Sequence, residues 1–166
     1  MVTLVLGGAR SGKSEVAEKI VANLAAGAPV TYVATITPTD ADMRARVARH
    51  RERRPEHWRT IESGADLATL VQDLDGPAIV DSLGTWVAGV EGFVVDGDRL
   101  CRALAGREAP TVIVSEEVGL GVHPSSGAGR EFRDALGVLN QQVAAMADRV
   151  LLVVAGRALE LPAAPG

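Results

Sequence analysis

Residues 4–20 read LVLGGARSGKSEVAEKI. Gly7, four residues, then Gly12, Lys13 and Ser14 form a complete G-x-x-x-x-G-K-[ST] element. An apolar, β-branched run (2–6) precedes it, and a helical pattern (13–26) follows it. Strand, glycine loop and helix in that order are the context in which this spacing binds phosphate. Glycine lets the backbone close around phosphate oxygens, and loop N–H groups and the helix N-terminus supply partial positive charge. Gly7, Gly8, Ala9, Arg10, Ser11 and Gly12 are therefore read as the cradle. Lys13 is placed to reach the β- and γ-phosphates, and the Ser14 hydroxyl to ligate Mg²⁺. The competing reading is a glycine turn with an incidental lysine. The motif points to a nucleoside triphosphate, ATP or GTP, without fixing the reaction.

The same alternation continues along the chain. Further strands are expected at 30–35, 77–81, 111–115 and 149–154, and helices at 40–53, 65–73, about 98–106 and 128–147. Continuous apolar strands separated by helices indicate an α/β fold with a mostly parallel sheet buried on both faces. The stretch EGFVVDGD, 91–98, reads as a Gly- and acid-rich connection, and the Pro-rich tail LPAAPG as frayed. With 166 residues and no evident linker, one domain spanning 1–166 is expected.

Composition narrows the class. Apolar residues make up 47% and charged residues 23%, a soluble globular balance. The single cysteine, Cys101, rules out an intrachain disulfide framework or a cysteine zinc cluster. The opening MVTLVL lacks the basic region and cleavage site of a signal peptide, and no apolar stretch nears the ~20 residues that span a bilayer. A cytoplasmic protein without a membrane anchor is expected. The net charge of −4 argues against general nucleic-acid binding.

Against that acidity, residues 44–59 hold seven of the seventeen basic residues, around His50. The span 40–53 reads as a helix capped by Asp40 and ended by Pro55. Helical spacing brings Arg46, His50 and Arg53 or Arg54 to one face, suited to a polyphosphate. The cations disfavour an imidazolium and push His50 below its ordinary value of about 6.5. A neutral imidazole beside phosphates is a competent nucleophile towards phosphorus. The alternatives are a solvated face balanced by Glu52 and Glu56, a nucleic-acid contact, or a histidine that only hydrogen-bonds phosphate. His57, next to Trp58, reads as packing, and His123 as an exposed loop residue.

Ligands in open α/β sheets sit at the carboxyl ends of strands. Asp81 ends the run AIVD and is placed to orient Mg²⁺; Glu116 and Glu117 follow TVIVS, and either is placed to hold a metal-bound water or act as a base. Of the two, Glu117 is the candidate catalytic residue, as that base or water holder. Thr35 lies near the end of the second strand, within reach of a nucleotide or simply structural.

In order, GGARSGKS, RHRERRPEHWRTIE, VDSLGTW, EVGLGVHP, FRDALGVLNQQVA and LLVVAGRALEL occur along the chain. These resemble the bifunctional adenosylcobinamide kinase/adenosylcobinamide-phosphate guanylyltransferase family of cobalamin biosynthesis, over nearly the whole chain. The resemblance implies a P-loop NTPase fold with a RecA-like sheet and a corrinoid substrate. It implies phosphorylation of the aminopropanol hydroxyl by ATP or GTP, then GMP transfer from GTP through a guanylylated histidine, His50 by motif position. It further implies that Ala34, Thr35, Ile36, Arg51, Glu52, Arg53, Arg54, Glu62 and Asp81 line the guanine nucleotide site, and that the chain forms a homotrimer. Two positions depart from the family pattern: Glu116 stands where Asn is common, and Gly89 replaces an Asn. Two other readings remain open on the residues alone: a P-loop kinase of another small alcohol, or a non-enzymatic nucleotide-dependent binding module.

Overall fold

The computed structural model describes residues 1–35 and 54–163. The expected helix 40–53 lies outside the described residues, as do Ile36, His50, Arg51, Glu52 and Arg53. Seven strands form one sheet in the order β3-β2-β4-β5-β1-β6-β7. They are β1 (Val2–Gly7), β2 (Thr31–Ala34), β3 (Arg59–Glu62), β4 (Ala78–Asp81), β5 (Thr111–Glu116), β6 (Arg149–Val154) and β7 (Arg157–Glu160). All pairings are parallel except β6 with β7.

The five apolar runs became strands within a residue or so of expectation. β1 and β5, at the centre, are buried almost throughout. Period-two alternation sends Val2, Leu4 and Leu6 to one face of the sheet and Val5 to the other. The first face packs against α2 (Leu67–Gln72), α3 (Leu83–Ala88), α4 (Gly97–Ala105) and α5 (Gly127–Met146). The second packs against α1 (Lys13–Ala25) through Ala17, Val21 and Ala25, with Tyr32, Ile79, Val112 and Val114 beneath them.

Several elements were not anticipated. β3 and β7 are short edge strands with mostly exposed side chains, so neither carries an apolar run. α3 starts from a capping box in which Ser82 and Thr85 satisfy each other's backbone N–H groups. The expected connection 91–98 instead contains a 3₁₀ turn (Glu91–Phe93) and the start of α4, capped by Asp96. His57 is exposed rather than packed; Trp58 beside it is half-buried against the α1-face core.

β1 is flanked by β5 on one side and β6 on the other. The chain leaves β1 towards β2 in one direction and later crosses from β5 to β6 in the other. Such a reversal opens a crevice at the carboxyl ends of the strands, and the glycine loop emerges there.

Candidate active site

Between β1 and α1 the loop turns through Arg10 (φ 57°) and Gly12 (φ 92°). A side chain at Gly12 would be strained by that φ and would also press on Gly156, its Cβ 3.2 Å from the Gly156 Cα. At Gly7 a Cβ would fall 2.7 Å from the Val153 carbonyl oxygen. The loop is held by Ser11 N donating to Gly8 O (3.3 Å) and by Gly156 N, in the β6–β7 turn, donating to Ser11 O (2.7 Å). α1 has Gly12 as its N-cap and no side-chain cap, so its first N–H groups are left for an anion.

Lys13 Nζ lies 3.4 Å from Gly8 O and 3.3 Å from Glu116 Oε1. Glu116, register partner of Gly7, closes β5. Its other oxygen accepts from Ser82 Oγ (2.9 Å) and Gly84 N (3.1 Å). Gly84 is required there, because a Cβ would meet the Glu116 carboxylate, with Cδ at 2.9 Å. Glu117 faces elsewhere: its Oε1 accepts from Gly119 N (2.5 Å) and Leu120 N (3.2 Å), folding the loop that follows. Of the two adjacent acids, Glu116 is thus the one beside Lys13, and Glu117, expected at the site, is turned into the following loop.

Asp81 lies two strands from β1, with β5 between. Its carboxylate accepts from the Tyr32 hydroxyl. Burial, then the Asp81 charge, pushes the Tyr32 phenol far above its ordinary value, so it stays a donor. The Arg54 guanidinium lies over the Tyr32 ring, 3.2 Å from its centroid, and its Nε is 3.7 Å from Glu18 of α1. Arg54 is thereby connected to Asp81 through Tyr32.

Thr35 is a hub. Its hydroxyl donates to Ser82 O (2.6 Å), accepts from Ser82 N (2.8 Å) and contacts the Thr85 hydroxyl. Ala34, Thr35 and Glu62 are brought together on a cleft of about 240 Å³, closed by Trp86, Gly89 and Val90. Trp86 Nε1 donates to Ala65 O (2.9 Å), which fixes that wall. A larger cleft, about 580 Å³, lies at the opposite end of the strands, before β4 and β5. Its Arg107 is occupied by the Val71, Leu74 and Gly76 carbonyls, so that groove is held by structural contacts.

Asn140 of α5 was not singled out from sequence. It is buried, accepts from Ser115 Oγ (2.6 Å) and donates to Glu116 O (3.0 Å), fixing the end of β5. A polar residue on the buried face of a helix was the available signal. Among the described residues no group of three or more His, Cys, Asp or Glu gathers to hold a metal, and no helix is long and apolar enough to cross a membrane.

A family model described as cobinamide kinase / cobinamide phosphate guanyltransferase matches residues 3–161. The bifunctional adenosylcobalamin biosynthesis protein CobP of Pseudomonas aeruginosa is 38% identical over 174 residues, covering 99% of each chain. CobU of Escherichia coli, with the same description, is 38% identical over 178 residues, covering 94% of this chain and 97% of its own. Among solved structures, the KaiC-like protein PH0186 of Pyrococcus horikoshii aligns with a TM-score of 0.52 at 14% identity, over 91% of this chain and 69% of its own. The flagellar accessory protein FlaH of Methanocaldococcus jannaschii aligns at 0.50 and 14%, over 95% and 74%. These two likenesses are of fold, that of the P-loop NTPases.

Proposed function

Because the chain belongs to the cobinamide kinase / cobinamide phosphate guanyltransferase family, we propose that its glycine loop serves the phosphoryl transfer and that His50 carries GMP in the second reaction. The chain acts on cobinamide twice, first as a kinase and then as a guanylyltransferase on the phosphate.

The observation that carries the assignment of the loop is its geometry. Lys13 is poised between the Gly8 carbonyl and Glu116 at the mouth of an uncapped helix. A triphosphate of ATP or GTP laid on these N–H groups draws Lys13 onto its oxygens. Mg²⁺ prefers one or two protein oxygens together with phosphates and water over an all-protein cage. A carboxylate at the strand end and a serine in the first turn of α1 fit that habit, so Ser14 and Asp81 would hold it. Bound there, the ion supplies charge neutralisation at the transferring phosphate.

In the second reaction an imidazole nitrogen of His50 attacks the α-phosphorus of GTP. A bond from that phosphorus to nitrogen forms, the bond to the bridging oxygen breaks, and pyrophosphate leaves. The phosphate of cobinamide phosphate then displaces the imidazole, giving cobinamide-GDP. Arg51 and Arg53 are assigned to neutralising the triphosphate and the leaving pyrophosphate; Arg54, expected at the same site, is instead committed to the Tyr32 ring and Glu18, and is nearly buried. The cleft shared by Ala34, Thr35 and Glu62 supports a nucleotide lying along the same end of the sheet. A cytoplasmic homotrimer completes the reading, and analytical ultracentrifugation measures its assembly state.

Incubation with GTP alone followed by intact-mass and peptide mass spectrometry tests the intermediate. The expected result is one GMP adduct on His50, absent from His50→Asn, with phosphorylation of cobinamide retained by that variant. An adduct at another residue, or equal labelling of the variant, overturns it.

A further inference from the structure

We propose that the loop 117–126 is a docking ledge for the macrocyclic body of the corrinoid, with Leu120 and Val122 as its apolar contacts. The inference rests on cobinamide being the substrate, as the family assignment gives it.

The position of the loop is the first argument. It leaves β5 beside the phosphate cradle, where Glu117 N donates to Gly7 O (3.2 Å). The root of the loop thus adjoins the phosphate cradle.

Its build is the second. Glu117 Oε1 gathers the N–H groups of Gly119 and Leu120 at one end. At the other, Arg130 Nη1 donates to Pro124 O (3.1 Å) and Ser125 O (3.2 Å), and Ser126 caps α5 through Gly129 N (3.1 Å). On this stapled loop Leu120 is 83% and Val122 96% exposed. Gly119 and Gly121 flank Leu120 and add no side chains that would cover it. Single exposed apolar residues are common. Two of them on a loop pinned at both ends and joined to the catalytic loop form a preorganised apolar surface.

The size of the substrate is the third. Drug-sized ligands occupy pockets of roughly 300–1,000 Å³. Among the described residues, the cleft shared by Ala34, Thr35 and Glu62 at this end of the sheet is about 240 Å³. A corrinoid, a macrocycle around cobalt with methyl groups and amide arms on its rim, is larger than a drug-sized ligand. Too large for that cleft, its body is assigned to the outer surface and its hydroxyl-bearing arm to the cradle. Rim methyl groups are matched by a leucine and a valine.

The test is steady-state kinase kinetics of the full chain carrying Leu120→Ser and Val122→Ser together. Val94→Ser, which alters a 78% exposed valine outside the loop, is the control. In the double variant the KM for cobinamide is expected to rise about tenfold or more, the effect of losing two apolar contacts. The KM for the nucleotide is expected to stay within about twofold, a difference too small to mark a lost contact. The control is expected to match the wild type. An unchanged KM for cobinamide, with wild-type phosphorylation intact, overturns the ledge alone. A shift in sedimentation coefficient on substitution also overturns it, because the loop then covers a second copy of this chain. A wild-type chain that phosphorylates no cobinamide removes the substrate reading itself, and the ledge with it.

Discussion

Lys13 Nζ is 3.3 Å from Glu116 Oε1, so the lysine of the glycine loop has a carboxylate partner at the end of the neighbouring strand. A phosphate must take Lys13 from that carboxylate and then tolerate its charge nearby. Glu116→Gln keeps an oxygen for Ser82 Oγ and Gly84 N while removing the charge. Partly exposed pairs are worth about 0.2–1 kcal/mol. Metal-free GTP is therefore expected to bind the variant about two- to fivefold more tightly, and the difference is expected to shrink once Mg²⁺ offsets the carboxylate. Isothermal titration with and without chelator measures both.

Gly84→Ala puts a methyl group against the Glu116 carboxylate and 3.3 Å from Leu136 Cδ2. Overpacking of this kind costs about 1–3 kcal/mol. The expected outcome is a lower urea midpoint with an unchanged slope, together with weaker nucleotide binding as Glu116 is pushed off its donors.

Arg54 combines a ring contact with Tyr32 and an ion pair with Glu18 while only 7% of its side chain is exposed. Arg54→Ala is expected to lower stability by about 2–3 kcal/mol, the sum of a desolvated cation–π contact and a charged partner. Arg54→Lys is expected to recover only part of this, since an ammonium does not stack as a planar guanidinium does. Denaturant melts of the two variants separate charge from shape.

The Asp66 carboxyl is held below its ordinary range by the Thr69 N–H, then by the Thr69 hydroxyl, with Arg99 adding to them. A carboxyl depressed in the folded state stabilises above its unfolded value and loses that contribution as pH falls through the folded one. Asp66→Asn retains a cap acceptor but does not titrate. Wild type is therefore expected to lose stability relative to the variant only below about pH 4, the unfolded aspartate range. Thermal melts from pH 6 to pH 2 check this; a difference between the two that changes from pH 6 to pH 4, or that stays constant down to pH 2, contradicts it.

The central strands and the phosphate loop were legible because burial on both faces writes itself as unbroken apolar runs, and because glycine spacing reflects backbone conformation directly. β3 and β7 were not legible, since an edge strand owes its place to a neighbour's backbone. β7 exists because Ala155 (φ 51°) and Gly156 (φ 74°) turn β6 back upon itself. Nothing in the pair Glu116-Glu117 indicates which acid meets Lys13, because the strand ends between them and the alternation that would decide it stops there. Thr35 looked like an ordinary strand-end hydroxyl, and its importance comes from Ser82 and Thr85, nearly fifty residues later. Such polar convergence leaves no periodic trace.

Gly156 and Ser11 are far apart in the chain, yet the N–H of one holds the carbonyl of the other. The seat offered to a phosphate is thus closed from two sides, the segment after β1 supplying its donors and the hairpin beyond β6 bracing them. A chain cut between β6 and β7 would keep the glycine spacing whole and lose the strut that holds its shape.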